Sequence, residues 1–384
     1  MKKLLIILTI IFVNNLFAQN NIDDILYTIL KNNHELQAIR QLNKFEILQA
    51  KDELIPENPE FEQEFQENNN YEIGITQRFQ FPNYYYHQYK NLQLTKEQQQ
   101  SIYMAAKQKV LEKAKITIFT LQYLEKQIKI QESRLKNAKL LDAYFTKMLD
   151  EGEITQLQSN QVKIHKTSFE NQLNEFLSEK IEMVETLKTL NGGLDIDLNI
   201  SEFSSDIPVV NIKKIEQDYL AKNPTLKIEQ INQQIANRNF QIAKYSWLPD
   251  FNIGVHTDKE SNTNLHYGIS IPLWKNRNKI NRAKAGQRYQ EANLKHTEAS
   301  LTSEFRSLTT QYSLLSSSYK TYTMIKQALN SKELLEKSLR EQEISSIEYF
   351  TELENLYNFE DNFLKARLDL EIVITRLTSF QLVE

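Results

Sequence analysis

The sequence predicts a mainly α protein with a small membrane β-barrel, and three observations lead there. Helix breakers are scarce, since 384 residues hold only 7 Gly and 7 Pro against roughly 7% and 5% in an average chain. Four short stretches nevertheless alternate apolar and polar side chains with period two, as strands with two unlike faces do. Motifs of the first half also return in the second at an offset of about 190 residues, so the chain reads as a duplicated helix, strand, strand, long helix, helix unit.

The chain opens MKKLLIILTIIFVNNLFAQ. Lys2 and Lys3 form a basic start, Leu4 to Val13 an apolar stretch and Leu16-Phe17-Ala18 a cleavage site. Residues 1–18 therefore read as an export signal. Their apolar stretch is short of the ~20 residues a spanning helix needs, and no other stretch approaches one. With no Cys there is no disulfide, no thiolate metal site and no lipid-modified N-terminal Cys. Any membrane contact falls to the strands.

Two repeats follow, 19–207 and 208–384. The first places strands at about 59–66 and 71–81, a long helix at about 84–149 and a return helix at about 153–190. The second repeats them at about 249–257, 265–273, 275–340 and 344–380. Asn33-His34-Glu35-Leu36 matches Asn223-Pro224-Thr225-Leu226, Gly74-Ile75-Thr76 matches Gly268-Ile269-Ser270, and Glu153-Ile154-Thr155 matches Glu343-Ile344-Ser345. No proline lies between Pro82 and Pro208. Within the first long helix Leu121, Leu124, Ile128, Leu135, Ala138, Phe145 and Leu149 keep coiled-coil spacing, with Gln131 and Asp142 interrupting the seam. At 1.5 Å per residue such a helix is on the order of 100 Å long. A rod of that length calls for parallel neighbours.

The strands are two-faced. Phe61 and Phe65 oppose Glu60, Glu62 and Glu64; Tyr71, Ile73, Ile75, Phe79 and Phe81 oppose Glu72, Gly74, Thr76, Arg78 and Gln80. Phe251, Ile253 and Val255 oppose Asn252, Gly254 and His256; Leu265, Tyr267, Ile269 and Ile271 oppose His266, Gly268 and Ser270. Four strands cannot close a barrel, and open edges are prohibitive in lipid. Three chains would supply about twelve, within the range of outer-membrane barrels, with the acidic polar face toward water. Trp247, Trp274, Phe79, Phe81 and Tyr84 to Tyr86 fall where strands meet helices, as an interfacial girdle does. His256 and His266 share the polar face of neighbouring strands, and the sequence leaves open whether they stand opposite one another. Two imidazoles without a further ligand are weak grounds for a metal, and polar lining is the plainer reading.

The ordered set LPDFNIGV, GISIPL, GEITQLQSNQ and EISSIEYFTELENLYN resembles the TolC-like outer-membrane efflux proteins, over essentially all of the chain beyond the leader. The resemblance implies a homotrimer whose twelve-stranded barrel, set in outer-membrane lipid, continues into a periplasmic α-helical barrel. It also implies a passive exit duct of a tripartite efflux system, for small molecules or metal cations, that works with a periplasmic adaptor and an inner-membrane pump. Heavy-metal or drug resistance is the expected physiology, with a pump of the resistance-nodulation-division class. Glu348 stands where such proteins place an inward acid near the closed tip, with Gln158 its counterpart in the first repeat; Glu343 and Glu341 would add charge there. Glu151, Gly152, Glu153 and Gln342 would meet the adaptor. Gln342 replaces a common Gly, and Leu339 a frequent aromatic.

No enzyme constellation is present: the six His are scattered, and there is no HExxH, nucleophile elbow or phosphate loop. No cofactor is implied. A formal charge of -4 without a basic run argues against nucleic acid. Two alternatives stand beside the efflux duct. One is the outer-membrane duct of a type I secretion system. The other is a non-channel periplasmic coiled-coil scaffold, which has no need of lipid-facing strands.

Overall fold

The computed structural model describes residues 22–66, 70–197, 207–260, 262–272, 274, 277–328, 331–341 and 343–383. The expected export signal lies outside them. Two helices, α1 (Ile22–Asn32) and α2 (His34–Asp52), lead into strands β1 (Glu60–Gln66) and β2 (Asn70–Phe79). The long helix α3 (Pro82–Asp150) and its return α4 (Gln156–Leu190) follow. Helices α5 (Ile212–Ala221) and α6 (Pro224–Tyr245), strands β3 (Asp250–Asp258) and β4 (Thr263–Ser270), and helices α7 (Arg277–Ala328), α8 (Ser331–Arg340) and α9 (Ser346–Leu377) complete the order, with a 3-10 turn at Ser379–Val383.

Helix breaks fall where the sequence supplies a cap. Asn33 divides α1 from α2 by accepting the Leu36 N–H at 2.9 Å, and Asn223 divides α5 from α6 by accepting the Thr225 and Leu226 N–H groups. The Asn33 amide also donates to the Leu190 carbonyl at 2.8 Å, tying this break to the end of α4. There the backbone turns through Gly192 at φ 69°, with so little room that a Cβ would stand 2.4 Å from the Asn32 carbonyl oxygen. Both the left-handed φ and the close approach demand glycine.

α3 runs 69 residues without a break, about 100 Å of helix. Over the expected helix at 275–340 the described residues form α7 and α8, residues 329 and 330 lying outside the described set. Among the described residues, three apolar clusters hold the helices together along their length. Ile29, Leu36, Ala114, Ile118, Leu121 and Leu187 form one; Tyr219, Phe305, Leu308, Leu377 and Phe380 a second; Phe145, Val162, Tyr349, Phe350 and Tyr357 a third. The expected seam residues Leu121, Leu124, Ile128, Ala138 and Phe145 are buried. So are Gln127, Gln131 and Arg134, which makes the seam partly polar.

The strands form one antiparallel sheet in the order β1-β2-β3-β4. β2 pairs with β3, joining the two halves, with Ile75 opposite Val255 and Phe79 opposite Phe251. Among the described residues, the outer strands β1 and β4 leave a hydrogen-bonding edge open on each side. Phe81, expected on β2, instead caps the start of α3, because Pro82 opens that helix and removes the N–H a ladder needs. Its ring still lies 6.0 Å from Phe251.

Candidate functional site

The sheet separates its two faces as the alternation predicts. Across one face Phe61, Ile75, Val255 and Leu265 stand in register, with Ile253 beside Tyr267 and Phe79 beside Phe251 and Ile269 in neighbouring rows. Phe61, Ile75, Val255, Leu265, Ile253, Tyr267 and Ile269 are all exposed, a continuous apolar band far larger than scattered surface residues. Among the described residues no helix is long and apolar enough to cross a membrane.

The opposite face is polar and acidic. Glu64, Glu72 and Asp258 stand side by side, and Glu62, Gly74, His256 and Asn264 form the next row. Glycines shape this face. A Cβ on Gly74 would lie 1.5 Å from His256 Cδ2, and one on Gly268 would lie 2.2 Å from Asn252 Oδ1. His256 and Asn252 therefore fold flat over the neighbouring strand instead of standing out from the sheet. His256 reaches across Gly74 to bring Nε2 within 3.5 Å of Glu62.

His256 and His266 do not stand directly opposite one another. His266 pairs with Gly254, and His256 with Asn264, because the loop after Asp258 sets the register. The two rings are diagonal neighbours with centroids 5.4 Å apart. Among the described residues no group of three or more His, Cys, Asp or Glu side chains is placed to hold a metal ion.

The aromatics expected in a girdle fall at the junction of strands and helices. Phe79 ends β2, Trp247 lies between α6 and β3, and Trp274 between β4 and α7. Trp274 is 89% exposed. The Tyr84 hydroxyl donates to Glu53 at 3.1 Å and accepts from Gln88 at 3.2 Å, giving it a polar tip on an apolar body.

At the far end of the long helices two turns match. After α3 the chain reverses through Gly152 at φ 75°, and the Glu153 N–H returns to the Met148 carbonyl at 2.9 Å. In the second turn the Glu343 N–H returns to the Ser338 carbonyl at 2.9 Å. The return helices then open with matched capping boxes. Thr155 N–H donates to the Gln158 side chain at 2.8 Å, and Ser345 N–H donates to the Glu348 carboxylate at 2.8 Å. Glu348, read from sequence as an inward acid, is thus also a helix cap. The Ser345 backbone N–H and hydroxyl hold its carboxyl below the usual range. Glu341, Glu343, Glu151, Gly152 and Glu153 are exposed around these turns. Gln342 lies outside the described residues.

Arg134 carries no signal in the local sequence pattern. Its side chain is 3% exposed, donates to Asp361 at 2.8 Å and Glu360 at 3.1 Å, and lies over the Tyr357 ring at 4.2 Å. It locks α3 to α9 just above the tip.

A four-stranded sheet with one lipid-like face, one polar face and two open edges, continued by a bundle of very long helices, defines the TolC-like fold. No protein-family model and no curated protein matches the chain. Solved structures do. The outer membrane channel CmeC of Campylobacter jejuni superposes with a TM-score of 0.74 at 16% identity, over 94% of this chain and 85% of that one. CusC, described in connection with transmembrane channel formation, gives 0.73 at 15% over 94% and 92%. The MtrE outer membrane channel of Neisseria gonorrhoeae gives 0.72 at 14% over 94% and 88%.

Proposed function

We propose that the chain is the outer-membrane exit duct of a tripartite efflux system, working as a homotrimer. The sheet carries this reading. One chain presents an exposed apolar face and two unpaired edges, an arrangement that lipid does not tolerate unless the sheet closes on itself. Three copies pairing β4 of one to β1 of the next give twelve strands, and the edges disappear. The apolar band then meets lipid, and Glu60, Glu62, Glu64, Glu72 and Asp258 line an acidic bore. Trp247, Trp274, Phe79, Phe81 and Tyr84 sit at one membrane interface, and the helices extend into the periplasm.

In this reading transport is passive, and the chain supplies a wall rather than a catalyst. Acidic lining favours cations and disfavours anions. Glu341, Glu343 and Glu348, three copies each, form the acidic tip. The exposed turns at Glu151, Gly152, Glu153 and Gln342 meet a periplasmic adaptor, which connects the duct to an inner-membrane pump of the resistance-nodulation-division class. The cargo is small molecules or metal cations. Purified protein analysed by native mass supports the assembly if it is a trimer carrying bound lipid or detergent. A water-soluble monomer that leaves membranes on washing overturns it.

A further inference from the structure

Above the tip, α3, α4, α8 and α9 line a half-open cleft of about 790 Å³, within the range of small-molecule sites. Its walls are aromatic. His165 stacks on Phe350 with centroids 5.3 Å apart, Phe169 meets Tyr357 edge-on at 5.7 Å, and Phe145 lies 5.9 Å from Phe350. Its charge is one-sided. Among the described residues, Arg134 in the lining is paired with Glu360 and Asp361, which leaves Glu153, Glu336 and Glu354 as the surplus charge. Among the described residues that line it there is no lysine. Exposed Tyr144 and Leu140 stand in the lining too.

Aromatic faces attract cations, and carboxylates at the same site reject anions. We infer that this cleft binds a lipophilic aromatic cation. An anion of similar size would leave its charge facing Glu336 and Glu354, and a small inorganic cation would leave the aromatic wall unused. The cleft also touches both turns, through Glu153 and Ile154 of the first and Ile344 and Ser345 of the second. An occupant therefore spans the two helix hairpins. This site goes beyond the duct reading and does not depend on it.

The test is a fluorescence titration of the full chain in lipid nanodiscs with ethidium, a planar aromatic cation, and with 1-anilinonaphthalene-8-sulfonate, an apolar aromatic anion. Two variants accompany it. Replacing Glu336 and Glu354 together by Gln removes two exposed charges, and Ser168→Trp fills the cleft from an exposed position of α4. The site predicts saturable ethidium binding with a raised melting temperature, about tenfold weaker in the double Gln variant and lost in Ser168→Trp. Equal ethidium affinity in wild type and both variants overturns the site, as does sulfonate binding as tight as ethidium. Binding is read without conduction, so a failed titration leaves the duct standing, and a binding protein that never conducts leaves the site standing.

Discussion

Ile75→Arg places a charge in the middle of the apolar band, where Ile75 is flanked by Phe61 on β1 and Val255 on β3. β2 is ten residues long, about 33 Å at 3.3 Å per residue, which suits a tilted strand crossing the hydrocarbon. Ile75 lies near its centre, so in a barrel its side chain sits close to the bilayer midplane. Arginine there costs about 2–4 kcal/mol per chain, a factor of roughly 30 to 900 in the folding equilibrium. If the same face met water, a 55% exposed side chain would tolerate the change within about 0.5 kcal/mol. The assay is urea titration of folding into lipid vesicles, with His266→Arg as control. His266 is also exposed and on the adjacent row of the sheet, but on the polar face, so its substitution should cost little. Equal effects of the two substitutions, or an Ile75→Arg cost below about 0.5 kcal/mol, would refute the assignment of faces.

Gly74→Ala should push the His256 ring off β2 and break its approach to Glu62, destabilising the sheet; adding His256→Ala should recover most of the loss, a coupling of about 1 kcal/mol in a double-mutant cycle. Arg134→Met should cost about 3 kcal/mol by denaturant melting, the low end for a broken buried pair because Glu360 and Asp361 keep partial access to water. Thr155→Ala should weaken the start of α4 by about 1 kcal/mol, read as faster amide exchange over its first turn. Since the Glu348 carboxyl is held below its ordinary value of 4.5, its stabilising contribution is complete above that pH. It is lost as the pH falls through the lowered folded value. Glu348→Gln should therefore remove part of the acid-side loss of melting temperature, and an unchanged acid limb would contradict the cap.

Much of the fold was legible in the sequence because period-two alternation assigns each side chain to a face without knowledge of its partner. Phe61, Ile75, Val255 and Leu265 fell on one face from local pattern alone. Register was not legible in the same way. Whether His266 opposes His256 or Gly254 depends on how the chain turns after Asp258, and a shift of two residues preserves both faces while changing every partner. The end of β2 was misplaced because Phe81 continues the alternation, although Pro82 already signals a helix start. The capping boxes were readable as Thr155-x-x-Gln158 and Ser345-x-x-Glu348. The resemblance places Glu348 at the tip as a lining acid, and the capping role stands beside that reading. Arg134 could not have been found locally, since the carboxylates that justify its burial lie 226 and 227 residues away.

If three copies of this chain enclose a cation-favouring pore, planar bilayer recording of the purified protein should give discrete single-channel steps with a reversal potential that favours cations, the preference reduced by Glu348→Gln at the tip. A protein that is monomeric or dimeric by mass and never conducts would contradict that reading.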